Sequence, residues 1–131
     1  MIPLFVLHGT EEFLTGFYAT DSHALFVFGW LEPIVPLSTS FIIFQLAFWA
    51  LLIGAYRMAR SHRFAVSILL VIGLISIYEL HHVLKAYEVG GYYPGLVTAF
   101  PLYVVALLYW RELSRMGLVG NVQKYQSSLK P

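Results

Sequence analysis

Phe41-Ile42-Ile43-Phe44-Gln45-Leu46-Ala47-Phe48-Trp49-Ala50-Leu51-Leu52-Ile53-Gly54-Ala55-Tyr56 carries one polar amide, Gln45, and no charge. Together with the uncharged residues from Pro33 onward, it reaches the roughly 20 residues that a helix needs to cross a bilayer. Arg57, Arg60, His62 and Arg63 close this run as a short basic turn. Phe64 to Tyr78 is the next uncharged segment, and it continues through Glu79-Leu80-His81-His82 toward Tyr87. Gly90-Gly91-Tyr92-Tyr93-Pro94-Gly95 is a loop by its turn residues. Leu96 to Trp110 is a third span, closed by Arg111.

The composition fits that reading. The 131 residues are 59% hydrophobic and 11% charged, against roughly 25% charged in a soluble domain. A soluble fold of this size has too little interior for so much apolar surface. A net charge of +1 with no dense basic run gives nucleic acid no handle. Cysteine is absent, which excludes disulfides, thiolate catalysis and cysteine-ligated metals. Any metal must take His, Asp or Glu, a ligand set suited to zinc, iron or manganese. Met1-Ile2-Pro3-Leu4 lacks the positive region that opens a secretory signal peptide, so the first apolar run is expected to be retained.

The expected fold is an all-α integral membrane bundle over 1–112. Its four principal helices lie at about 3–19, 38–58, 64–88 and 95–112, and a polar cytoplasmic tail covers 113–131. Pro3 suits a first helical turn. Asp21-Ser22 starts a short interfacial helix over 24–31, between the first and second principal helices, and Glu32-Pro33 with Pro36 stops it. If the spans alternate, Arg57, Arg60 and Arg63 share a side with Arg111, Arg115, Lys124 and Lys130, and only Lys85 falls opposite. The positive-inside rule then puts the N- and C-termini in the cytoplasm.

Two ligand-bearing clusters interrupt the apolar sequence. Ionisable groups at membrane depth are costly and tend to mark function. His8, Glu11 and Glu12 fit the i, i+3, i+4 spacing of one helix face, as do Glu79 and His82. His81 is rotated by about 100° from His82 and need not join it. Glu-x-x-His facing carboxylates on another helix is the pattern of carboxylate-bridged metal bundles. The expected metal ligands are His8, Glu12, Glu79 and His82, with Glu11 and Glu12 as catalytic carboxylates. Plainer readings make His8 a helix-end residue bonded to Glu12, and Glu79 with His82 a pair gluing two helices. His23 reads as a surface residue, and His62 carries no assigned chemistry. Depth is an obstacle to convergence. Counted from a cytoplasmic start, His8 lies about 8 Å along its helix and His82 about 27 Å, a mismatch of roughly 20 Å. The clusters meet only if the first helix is short and sits in the outer half of the membrane.

His8/Glu11/Glu12, then His81 or His82, then Tyr92-Tyr93-Pro94-Gly95 follow one another in an order that resembles the HXXEE family of small bacterial membrane proteins. The resemblance runs from His8 to about Tyr109. It implies a multi-helix protein of the bacterial inner membrane with a metal or catalytic site. His82 is the preferred histidine because it pairs with Glu79. Pro94 and Gly95 are explained by turn geometry, whereas the Tyr92 hydroxyl is expected to reach the site as a third catalytic group.

The leading expectation is a membrane metalloenzyme with zinc or iron, or else manganese, acting hydrolytically or oxidatively on a lipid-like or apolar substrate. The alternatives are a metal-free acid/base isomerase, and a non-catalytic subunit or ligand-binding module of a homo-oligomer or larger membrane complex. Apart from the bilayer and such a small molecule, no partner is implied.

Overall fold

A computed structural model describes residues 1–59 and 65–115. The described chain is all-helical, with three helices long and apolar enough to cross a membrane, Leu37–Met58, Ser67–Val89 and Leu96–Arg115. It is a membrane protein by that measure. Arg60, His62 and Arg63 of the expected basic turn, position 64 of the expected third helix, and 116–131 of the expected tail lie outside the described residues.

The first expected helix, 3–19, is corrected to α1 (Ile2–Leu14), with proline in its first turn. It stops because the Thr15 hydroxyl bonds back to the Glu11 carbonyl at 2.7 Å and Gly16 takes a left-handed φ of 77°. Glycine adopts that conformation without the penalty a Cβ would bring. A single turn, α2 (Phe17–Thr20), follows. Then Asp21 caps α3 (Ser22–Phe28), accepting from the backbone N–H groups of His23 at 2.8 Å and Ala24 at 2.9 Å. The Asp21-Ser22 start is therefore where the sequence places it. A 3-10 turn over Gly29–Leu31 leads to α4 (Leu37–Ala59).

The third expected helix is also corrected, to α5 (Ala65–Tyr78) and α6 (His81–Val89) with a turn at Glu79-Leu80. Neither glycine nor proline stands at this break. Instead, the Glu79 carbonyl receives the His82 N–H in a tighter i+3 bond and the Tyr103 hydroxyl as well. Finally, α7 (Leu96–Arg115) runs past the expected end at 112 and buries Leu113.

α1 runs antiparallel to α4 and α7 and packs against both, and α5 packs against the same two helices, with Ile72 and Ile75 reaching the core around Phe5. Phe5 sets the register. It is buried against Leu52 of α4 and Leu102 of α7, with Phe48, Ile72 and Ile75 around it and Met1 alongside. Leu52 stands seven residues before the end of α4, so the first turn of α1 stops about 10 Å short of that end. The short first helix and its position resolve the depth mismatch. A second core of Phe17, Ala24, Phe28, Phe41 and Tyr93 ties α2 and α3 to α4.

Asp21 anchors this second core. It is fully buried, and it also accepts from the Tyr93 hydroxyl at 2.6 Å. Burial alone would raise its carboxyl pKa, but the hydrogen bonds from Tyr93, Ala24 and His23 outweigh that and hold it below the usual value. Its stabilising effect is then complete above the unfolded aspartate value of about 3.9, and fades as pH falls through the lower folded value. Asp21→Ala is expected to cost about 2–4 kcal/mol, from a lost cap and a stranded tyrosine hydroxyl. In thermal unfolding in detergent, the gap between the natural chain and Asp21→Asn should be wide at about pH 6 and narrow at about pH 3.

Candidate metal centre

The end of α1, the Glu79-Leu80 break and the start of α7 meet at one depth. His8 is 2% exposed, His82 0% and Glu12 6%, with Glu79 partly buried beside them. One ligand atom from each of the four lies within 4.8 Å of all the others, so the group can hold a metal ion. The His8 and His82 Nε2 atoms are 3.1 Å apart. Glu79 Oε2 stands 3.1 Å from His8 Nε2 and 3.3 Å from His82 Nε2. Glu12 Oε1 stands 3.7 Å and 3.3 Å from the same two atoms. A tetrahedral ion with bonds of about 2.0–2.2 Å separates its ligands by about 3.3–3.6 Å, close to these spacings.

The outer bonds fix which ring nitrogen faces the quartet. His82 Nδ1 lies 2.6 Å from the Pro94 carbonyl, which only accepts, so this nitrogen carries the proton. Thr98 Oγ1 donates its hydrogen to Glu11, so the His8 Nδ1 at 2.8 Å from that oxygen must donate to it. Both imidazoles therefore turn Nε2 toward Glu12 and Glu79, and in the neutral ring that nitrogen is unprotonated. An outer carbonyl, or a hydroxyl backed by a carboxylate, is the usual way a ligating histidine is held in one tautomer.

Glu11 does not enter the quartet. Its carboxylate accepts from the Val97 N–H at 3.1 Å, the Thr98 N–H at 2.7 Å, the Thr98 hydroxyl and the Tyr92 hydroxyl at 2.7 Å. It thus satisfies donors in the first turn of α7 that have no partner within that helix, and places negative charge at the positive helix end. Tyr92 reaches Glu11 and is exposed. These two expected catalytic groups touch the quartet only through Thr98. Glu12 does face it, held by the Gln45 amide at 2.9 Å. His81 turns the other way, its Nδ1 donating to the Tyr78 carbonyl at 3.1 Å, and His23 is largely exposed.

Sequence reasoning missed Thr98, Gln45, Tyr103 and the Pro94 carbonyl. Gln45 alone carried a signal, as the one amide in the apolar run that opens this section of chain. Gly95 was read as a turn residue, but it also makes room for the site. A Cβ there would lie 2.6 Å from His82 Cε1 and 2.9 Å from His8 Cε1, on a backbone with φ of 85°. Comparison with known proteins finds no match to any family model, curated protein or solved structure.

Gly95→Ala is expected to destabilise the metal-free protein by about 2–4 kcal/mol, combining a strained φ with overpacking. Thermal unfolding in detergent with chelator present measures this, and an unchanged midpoint would contradict the packing described.

Proposed function

We infer that this chain is an integral membrane metalloenzyme whose centre is His8, Glu12, Glu79 and His82, acting on a lipid-like or apolar substrate. The observation carrying this reading is the pair of Nε2 atoms, each turned by an outer Nδ1 bond toward the same two carboxylates, with all four ligand atoms within 4.8 Å of one another. Two imidazoles and two carboxylates favour zinc or iron, then manganese. Such an ion would supply a Lewis acid for a substrate oxygen or for water, in hydrolytic or oxidative chemistry.

The chain's own groups position that chemistry. Glu12 and Glu79 bring negative charge, and His8 and His82 bring neutral donors held in one orientation. Glu11 and Tyr92 act as positioning residues, since they reach His8 only through Thr98. A cavity of about 230 Å³ borders His8, Glu12 and Glu79 and is otherwise walled largely by aromatic and aliphatic side chains, which supports an apolar substrate. The ordered motifs support membership of the HXXEE family. Arg57 and Arg115 close α4 and α7 at the same end of the bundle. That supports a cytoplasmic side there, with both termini facing it, in a bacterial inner membrane. The exposed aromatics Phe26 of α3 and Trp30 of the 3-10 turn after it support this segment's lying in the interface.

Elemental analysis of purified protein before and after chelation tests this reading. One zinc, iron or manganese per chain is expected, and it should be lost in Glu12→Ala and in His82→Ala. Thr98→Val should retain the site but weaken metal affinity about 10–100-fold, the usual effect of removing an outer partner. Metal-free protein after preparation in metal-supplemented medium would favour the cluster as helix glue.

A further inference from the structure

The cavity beside the quartet is chemically lopsided. Phe5, Phe17, Phe28, Phe41, Phe44 and Phe48 give it six aromatic rings, while His8, Glu12 and Glu79 form its polar floor. Among the described residues no lysine or arginine lines it. His81 also belongs to the wall; with Nδ1 committed to the Tyr78 carbonyl, its Nε2 is a buried acceptor without a partner. At the rim, His23 and Val27 of α3, Phe44 of α4 and Tyr78 of α5 are all well exposed. The cavity thus opens on the apolar flank of the bundle, between α3 and α5.

We propose that the substrate is a neutral single-chain lipid alcohol, which enters sideways between α3 and α5 and lodges its chain among the phenylalanines. This rests on the metalloenzyme reading for the chemistry at the cavity floor. A charged head group is disfavoured on two counts. Anionic heads would meet Glu12 and Glu79 with no lysine or arginine among the described lining residues to receive them, and any ion pays heavily to leave water at this depth. A hydroxyl pays far less and brings an oxygen to the quartet. The volume of about 230 Å³ is small beside ligand pockets of about 300–1,000 Å³, so one chain fits where two do not.

The test uses purified protein in lipid nanodiscs and n-decanol carrying a diazirine on its chain, with labelled positions mapped by mass spectrometry. Labelling is expected on the Phe28 to Phe48 wall. Unlabelled n-decanol should displace it about tenfold more effectively than n-decane, decanoate or decyl phosphate. Val27→Trp at the rim should cut displaceable labelling about tenfold with metal content unchanged. Label spread over outward positions such as Leu46 and Leu107 that n-decanol does not displace would overturn the proposal, as would equal displacement by decyl phosphate. Elemental analysis of the same samples separates the two readings. Displaceable wall labelling in a chain that binds no metal supports the alcohol site and removes the metalloenzyme reading. Full metal occupancy with no displaceable labelling removes the alcohol proposal alone.

Discussion

Two imidazoles whose Nδ1 protons are both spent outside the cluster can turn only Nε2 inward, bare whenever the ring is neutral, and the rest of the site is built around that constraint. The Pro94 carbonyl cannot donate, and the Thr98 hydroxyl has already given its hydrogen to Glu11. Four electron-rich atoms from His8, Glu12, Glu79 and His82 therefore face one small volume. In a low-dielectric surround such a group is far costlier than in water, because neither solvent nor counter-ions screen it. The outer bonds that hold it are correspondingly numerous. Thr98, Glu11, Tyr92, Gln45 and Tyr103 each engage a ligand residue or a neighbour of one.

The length of α1 follows from the same requirement. Along α1 and back along α7, Phe5 meets Leu102, His8 meets Thr98 and Glu11 meets Val97. The step from the first pair to the second is about one helical turn on both helices, so the register of the apolar pair delivers the polar pair. Had α1 continued through Gly16, α2 and α3 would have nowhere to fold back. Phe17 would then leave its place against Phe41 and Tyr93, where it roofs the His82 ring at a centroid distance of 5.4 Å.

Much of this was legible in the sequence. The spans follow from uninterrupted apolar length, the start of α3 from Asp21-Ser22, and the four residues of the quartet from helical spacing within each cluster. Glu11 was misjudged for a reason that the spacing itself contains. Glu11 and Glu12 are neighbours, about 100° apart around the axis, so they flank His8 on opposite sides. One turns to α7 and the other to Gln45 on α4. The same rotation had set His81 apart from His82. The Glu79-Leu80 break was not legible, because it comes from a tertiary partner, Tyr103, and not from a breaker residue. Thr98 was equally silent, being an ordinary small polar residue near the start of an apolar helix.

Helix glue and a metal centre make opposite demands on the histidines. Glue between a histidine and a carboxylate needs an imidazole N–H aimed at the carboxylate oxygen, as in the polar pairs that hold membrane helices together. Here the Nδ1 protons point to Pro94 and Thr98, so the neutral rings offer Glu12 and Glu79 no donor at all. Glu12 has the Gln45 amide to itself. The Glu79 carboxylate, among the described residues, meets only the two Nε2 atoms. As glue the cluster needs additional protons on Nε2, and as a ligand set it needs one cation in their place; either leaves the outer Nδ1 bonds intact. One divalent ion balances both carboxylates, whereas the same balance from protons puts a hydrogen on each of two Nε2 atoms 3.1 Å apart, and that favours the cation.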